Sequence, residues 1–185
     1  MEAFLASTLG VAIAEMGDKT QLLTLFLAAR YRNHWAILAG ILIATLINHG
    51  ISAWLGDWLT HWIPEGWLGP IVGVSFILIG LWVLIPDDDE KPDSPLLRYG
   101  PFLATTILLF LAEIGDKTQV ATIVLAANYN SLFAVISGTT LGMLLANVPV
   151  LIAAQTILAK LPLKTLRISA CLVFIVLGIS SWWLP

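Results

Sequence analysis

The chain has 185 residues, 58% of them hydrophobic and only 11% charged, with a formal net charge of −3. Ordinary globular domains carry about 25% charged residues, and a soluble fold of this length cannot hide so much apolar surface. The mean hydropathy of +0.90 makes the lipid bilayer the expected solvent for most of the chain. No basic cluster points to nucleic acid, and the single cysteine, Cys171, excludes a disulfide within the chain.

Six segments reach the roughly 20 mainly apolar residues that a membrane-spanning helix needs. In chain order they run from Ala3 to Ala29, Trp35 to Leu55, Trp67 to Ile85, Phe102 to Ala127, Leu132 to Leu158 and Leu163 to Leu184. The first lacks the basic start of a cleavable signal and contains Glu15 and Asp18, so it reads as a retained helix. One extended polar break, Pro86 to Arg98, carries Asp87, Asp88, Asp89, Glu90 and Asp93. A charge run of this kind is expected to stay in water. The expected division is a three-helix repeat over 1–86, an acidic cytoplasmic linker over 87–98, and a second three-helix repeat over 99–185.

Of nine basic residues, Lys19 and Lys117 lie inside spans. The other seven, Arg30, Arg32, Lys91, Arg98, Lys160, Lys164 and Arg167, fall in or beside the loops after spans one, three and five. The positive-inside rule makes those loops cytoplasmic and puts both termini outside. Trp54, Trp58, Trp62, Trp67, Trp182 and Trp183 then form an aromatic belt at the outer face.

An offset of 98 residues aligns the chain with itself. Phe4–Thr8 (FLAST) meets Phe102–Thr106 (FLATT), and Ala14–Gln21 (AEMGDKTQ) meets Ala112–Gln119 (AEIGDKTQ). The register continues through Thr24/Thr122, Gly40/Gly138 and Leu46/Leu144, and returns at Phe76–Gly80 against Phe174–Gly178. Three spans per repeat is an odd number, so the second half must enter the membrane from the opposite side. The expected fold is therefore an all-α polytopic membrane protein of six transmembrane helices, built as two inverted-topology repeats. Secondary transporters commonly have this plan, with the substrate site near the midplane.

The repeated motif places Glu15, Asp18 and Lys19 midway along span one, and Glu113, Asp116 and Lys117 midway along span four. Insertion scales assign about 2.5–3.5 kcal/mol to each charged residue at a helix centre. Packing alone does not explain six of them, because apolar residues fill space at less cost. In a continuous helix Glu15 and Asp18 stand at i,i+3 on one face, with Lys19 at i+4. Inverted symmetry would then bring four carboxylates around one point. Gly17 and Gly115 permit either close approach of two helices or a local break that frees carbonyls. Gln21 and Gln119 are candidate amide-oxygen ligands. Thr20 and Thr118 are candidate hydroxyl ligands, although such hydroxyls often bond their own helix. Lys19 and Lys117 either neutralise the empty site or pair structurally with the acids.

Oxygen ligands without His or Cys suit magnesium, calcium or manganese and disfavour zinc and copper. Crowded carboxylates would exchange protons for metal. Asn48 and His49 in span two and Asn147 in span five either line the path or bind helices together. Pro149 is expected to kink span five. No nucleophile triad or nucleotide-binding motif is present, and no cofactor is expected; the cation is the cargo. A membrane-embedded metalloenzyme would need an open metal position and room for a substrate, and the close repeat disfavours it. Export of a small organic solute would ask for half-helices that bind carboxylate, and the sequence gives no sign of them.

The doubled motif, Glu15-Met16-Gly17-Asp18-Lys19-Thr20 and Glu113-Ile114-Gly115-Asp116-Lys117-Thr118, closely resembles the signature of the calcium/cation antiporter-2 family. That family includes the Golgi calcium/manganese–proton exchangers and small bacterial manganese exporters. The resemblance spans essentially the whole chain. It implies that Glu15, Asp18, Glu113 and Asp116 bind and carry the cation. The compact length is similar to the bacterial branch, which implies manganese export across the inner membrane against protons or sodium. Calcium or magnesium exchange at the same site is the alternative, and a homo-oligomer is left open.

The orientation is testable directly. A cysteine introduced as Asp89→Cys, in a chain whose Cys171 is replaced by Ala, should be unreachable by an impermeant thiol reagent added outside intact cells. Labelling from outside would reverse the topology.

Overall fold

A computed structural model describes residues 1–64, 66–85, 95–129, 131–153 and 163–182. Among the described residues it is all-helical, with no strand. The helices are α1 (Glu2–Glu15), α2 (Lys19–Arg30), α3 (His34–Thr60), α4 (Leu68–Val83), α5 (Pro101–Glu113), α6 (Lys117–Asn128), α7 (Leu132–Ala153) and α8 (Leu163–Ser180), with a 3-10 turn at Pro95–Tyr99. Most of the acidic linker, the expected end of span five beyond residue 153, and Trp183 lie outside the described residues. By length and apolar composition, α3 and α7 are each able to cross a membrane unaided; α4, α5 and part of α8 are shorter apolar helices.

Spans one and four are not continuous helices; of the two roles left open for Gly17 and Gly115, close approach or a local break, the structure has the break. Each is interrupted inside the motif, giving α1/α2 and α5/α6. The cause is a pair of type II turns. Met16 stands at φ −66°, ψ 112° and Gly17 at φ 85°, while the Asp18 N–H donates to the Glu15 carbonyl at 3.1 Å. In the second half Ile114 has φ −62°, ψ 120° and Gly115 φ 76°, with Asp116 N–H to the Glu113 carbonyl at 3.1 Å. A type II turn needs positive φ at its third residue, which glycine alone adopts without strain. A Cβ added at Gly115 would meet nothing within 4 Å. Conformation, rather than close helix approach, is the reason for that glycine.

Three principal helix pairings recur in both halves once they are exchanged. Helix α1 packs on α7, as α5 packs on α3, and α4 packs on α8. A Cβ at Gly40 would lie 2.7 Å from the Thr105 Cβ and 2.9 Å from the Phe102 carbonyl; one at Gly138 would lie 2.9 Å from the Ser7 Cβ and 2.6 Å from the Phe4 carbonyl. These contacts interchange under the 98-residue offset. At the centre Phe76 stacks on its own counterpart Phe174, ring centroids 6.1 Å apart.

The glycine contacts also fix direction. Gly138 meets Phe4 and Ser7, and one turn on Gly142 meets Thr8 and Val11, so α1 and α7 run parallel. Gly40 against Phe102, and Asn48 against Phe110, make α3 and α5 parallel as well. Gly69 against Ser181 and Gly80 against Cys171 make α4 and α8 antiparallel.

The side chains are distributed unlike those of a soluble fold: many polar ones are buried beside the apolar core, and many large apolar ones are exposed. Thr24, Thr45, Asn48, His49, Thr105, Thr122, Thr139 and Asn147 are buried, whereas Leu78 and Leu81 of α4 and Leu172 and Val176 of α8 are exposed. Trp54, Trp58, Trp62, Trp67 and Trp182 are exposed too. Such a surface fits hydrocarbon outside and helix-to-helix hydrogen bonding within.

The turn assignment carries a test. Gly115→Ala should destabilise the detergent-solubilised protein by about 1–2 kcal/mol, the cost of left-handed backbone for an L-residue, read as a lower unfolding temperature. Gly50→Ala, within α3 and with equal room for a Cβ, should not lower it, because alanine favours the helix.

Candidate metal centre

The two turns place six charged side chains close together. Glu15 ends α1 and Glu113 ends α5, and both are fully buried. Asp18 and Asp116 stand at the N-cap positions of α2 and α6 and are 8% and 3% exposed. The i,i+3 arrangement on one helix face is therefore corrected: each Glu and Asp belong to different half-helices, joined across the turn. Half-helices, made by the local break that Gly17 and Gly115 permit, are present in both repeats. A helix C-terminus carries a partial negative charge, so Glu15 and Glu113 stand where a cation is favoured twice over.

One oxygen each from Glu15, Glu113 and Asp116 lies within 4.8 Å of the others. With metal–oxygen bonds of about 2.1–2.4 Å, two ligands of one ion stand at most about 4.2–4.8 Å apart. Residues 98 positions apart in the chain are thus already within sharing distance. Two bare negative charges at 4.8 Å repel by about 3.5 kcal/mol at an effective dielectric near 20. Three such groups hold together only with positive charge or protons among them. Asp18 lies outside this trio; its Oδ1 is 3.8 Å from the Lys117 ammonium.

The lysines cross between halves. Lys117 faces Asp18, and Lys19 faces Asp116 Oδ2 at 3.5 Å. The turn removes the helical i+4 spacing between each lysine and the glutamate of its own repeat. Lys117 also donates to the Ile85 carbonyl at 3.0 Å.

The threonines bond the glutamates: Thr20 Oγ1 donates to Glu15 Oε2 at 2.5 Å and Thr118 Oγ1 to Glu113 Oε2 at 3.3 Å. The other oxygen of each glutamate, Oε1, is buried without a hydrogen-bond partner among the described residues. Those two oxygens are chemically available to an ion. Gln21 and Gln119 act differently from expectation. Their Oε1 atoms accept from the Gly17 and Gly115 N–H groups, each at 2.7 Å, so they hold the turns closed. Gln21 Nε2 further donates to the Ala146 carbonyl at 2.6 Å.

Asn48 and Asn147 serve as interhelical ties. Asn48 Nδ2 donates to the Phe110 carbonyl at 3.1 Å, and Asn147 Oδ1 accepts from Thr24 Oγ1 at 2.8 Å. Thr24 is a contributor that sequence reading took only as a mark of the repeat register; its signal was a hydroxyl one turn beyond the motif in both halves. His49 is fully buried, and neither ring nitrogen has a hydrogen-bond partner among the described residues.

Residues 3–91 and 101–184 match the family described as "Divalent cation/proton antiporter GDT1". The chain belongs to this family. Among GDT1 relatives, a Vibrio cholerae protein named "Putative manganese exporter" is 45% identical over 182 residues, covering 98% of this chain and 90% of that protein. The GDT1-like protein sll0615 of Synechocystis is 26% identical across 99% of this chain and 98% of its own length. GDT1-like protein 5 of Arabidopsis thaliana is 28% identical across the full chain and 97% of its own length. No solved structure matches this chain. Membership makes it a membrane transporter of divalent cations and protons rather than an enzyme.

The capping role of the glutamines is open to measurement. Gln21→Leu would orphan the half-buried Gly17 N–H, so it should destabilise the protein by about 1 kcal/mol, seen as a lower unfolding temperature in detergent. Gln21→Glu, which keeps an acceptor oxygen, should recover part of that loss.

Proposed function

We propose that this chain exports manganese across a bacterial inner membrane in exchange for protons, holding the ion between Glu15, Asp18, Glu113 and Asp116. The observation that carries this reading is the convergence of Glu15, Glu113 and Asp116 within 4.8 Å, from two half-helix pairs. Charge counting agrees with a divalent cargo. Four carboxylates and two motif lysines leave a formal charge of −2, which one divalent cation neutralises. The choice of manganese rests on the relative at 45% identity, and all-oxygen ligation suits that ion.

The architecture proposed is two inverted three-span repeats, 1–86 and 99–185, joined by the cytoplasmic linker 87–98, with both termini outside. Inversion about an in-plane axis makes spans one and five parallel, spans two and four parallel, and spans three and six antiparallel. The directions read from the glycine contacts are these three. Parallel repeats would have reversed each of them. Seven basic residues in one set of loops support the orientation. An interface between such repeats can open to either side in turn.

The test is manganese tolerance in cells lacking their own exporter, with membrane expression checked. Ala in place of Glu15, Asp18, Glu113 or Asp116 should abolish protection while the protein stays folded and inserted. Asp116→Glu should also be damaging, since an added methylene displaces the carboxylate by more than a metal–oxygen bond tolerates. Asp88→Ala in the linker should be nearly silent. Normal export by Glu15→Ala or Asp116→Ala would remove the site. Proteoliposome counterflow with manganese, calcium and magnesium at two pH gradients separates the cargo ions, and a sodium gradient separates the drivers.

A further inference from the structure

The ion pairs between the halves are reciprocal but unequal. Lys117 is nearly buried, its side chain 6% exposed, and its ammonium lies between Asp18 Oδ1 at 3.8 Å and the Ile85 carbonyl at 3.0 Å. Lys19 is 30% exposed and faces Asp116 Oδ2 at 3.5 Å. The carboxylates divide in the same way. Asp116, opposite the more exposed lysine, belongs to the trio with Glu15 and Glu113; Asp18, opposite the buried lysine, does not. Other details carry the same asymmetry. Asp116 Oδ1 accepts from the Lys117 N–H at 2.7 Å, whereas Asp18 makes no side-chain cap. The Thr–Glu bond is 2.5 Å in the first half and 3.3 Å in the second. Two nearly identical motifs thus occupy two different arrangements.

We infer that Lys19 and Lys117 are tethered competitor cations: each aspartate alternates between the divalent ion and the ammonium of the opposite repeat. Here Asp18 stands outside the trio and faces the buried Lys117 ammonium, while Asp116 stands in the trio with the more exposed Lys19 at 3.5 Å. Exchange of the halves gives the other arrangement, with Lys19 buried on Asp116 and Asp18 joined to the two glutamates. Both distances exceed an optimal charged hydrogen bond of about 2.7–2.9 Å, so each pair is near enough to attract and loose enough to release. The same sequence can therefore supply a different fourth ligand in each arrangement. An ammonium that returns to its aspartate also prevents the site from holding metal too tightly to let go. The lysines are positioning residues in this scheme, since they touch the ligands rather than the metal.

This inference rests on the metal-binding reading above, and the experiment separates the two. Full-length protein in detergent is titrated with manganese, free Mn2+ being read by electron paramagnetic resonance. The same variants are assayed for turnover in proteoliposomes. Lys117→Gln should bind manganese roughly tenfold more tightly, a shift within the usual range for two linked ligands, and should turn over more slowly. Lys117→Arg, which restores the charge, should recover both values toward wild type. Lys19→Gln carries the same prediction at a more exposed position and decides the matter if Lys117→Gln does not fold. A lysine with only a structural role would instead lower the unfolding temperature and weaken binding together. Folded glutamine variants that bind manganese no more tightly than wild type would overturn the inference while leaving the site intact. Wild-type protein without saturable manganese binding, or Glu113→Gln binding as well as wild type, would overturn site and inference alike.

Discussion

Carboxylates buried where a chain of this composition meets hydrocarbon are the constraint to which the rest of the fold responds. Glu15, Glu113 and Asp116 stand within 4.8 Å of one another, and at that range mutual repulsion amounts to several kcal/mol per pair even in a moderately polar interior. No arrangement of apolar side chains relieves it. Positive charge or protons have to be supplied, and the lysines fixed in the motif bring part of that charge, Lys19 to Asp116 and Lys117 to Asp18. Membership of a cation/proton antiporter family is consistent with that demand.

Meeting the constraint requires the helices to stop. An unbroken helix through residues 14–21 would lock each Glu, Asp and Lys into one repeating face and pair them within their own repeat. The type II turns at Met16–Gly17 and Ile114–Gly115 release that register. Glutamate is left at the end of one half-helix and aspartate at the start of the next, while lysine is free to reach across to the other repeat. Exposing backbone in this way is costly in a lipid setting. Gln21 and Gln119 meet part of that cost by accepting the glycine N–H groups, and the Asp-to-Glu backbone bonds meet more. The small residues elsewhere have a separate purpose: Gly40 and Gly138 let α3 and α7 approach α5 and α1 closely enough to hold the broken helices in place.

Sequence alone determined the class, the repeat and the candidate residues. Mean hydropathy requires lipid, and the 98-residue offset requires two related halves. Mid-span acids are conspicuous because nothing but chemistry accounts for their cost. Tertiary structure decided the rest. Whether Gly17 breaks a helix or merely lets another approach depends on a single φ, and both outcomes are compatible with the same letter in the sequence. Whether Lys19 meets Glu15 four residues away or Asp116 across the molecule depends on that break. The glutamine oxygens are ligand-like in composition and turn caps in place. Only packing revealed that three carboxylates gather while Asp18 is drawn to Lys117. The physical reason is general: periodicity and cost are properties of the chain read along its length, whereas a coordination site is set by distances between segments that the chain brings together only after it has folded.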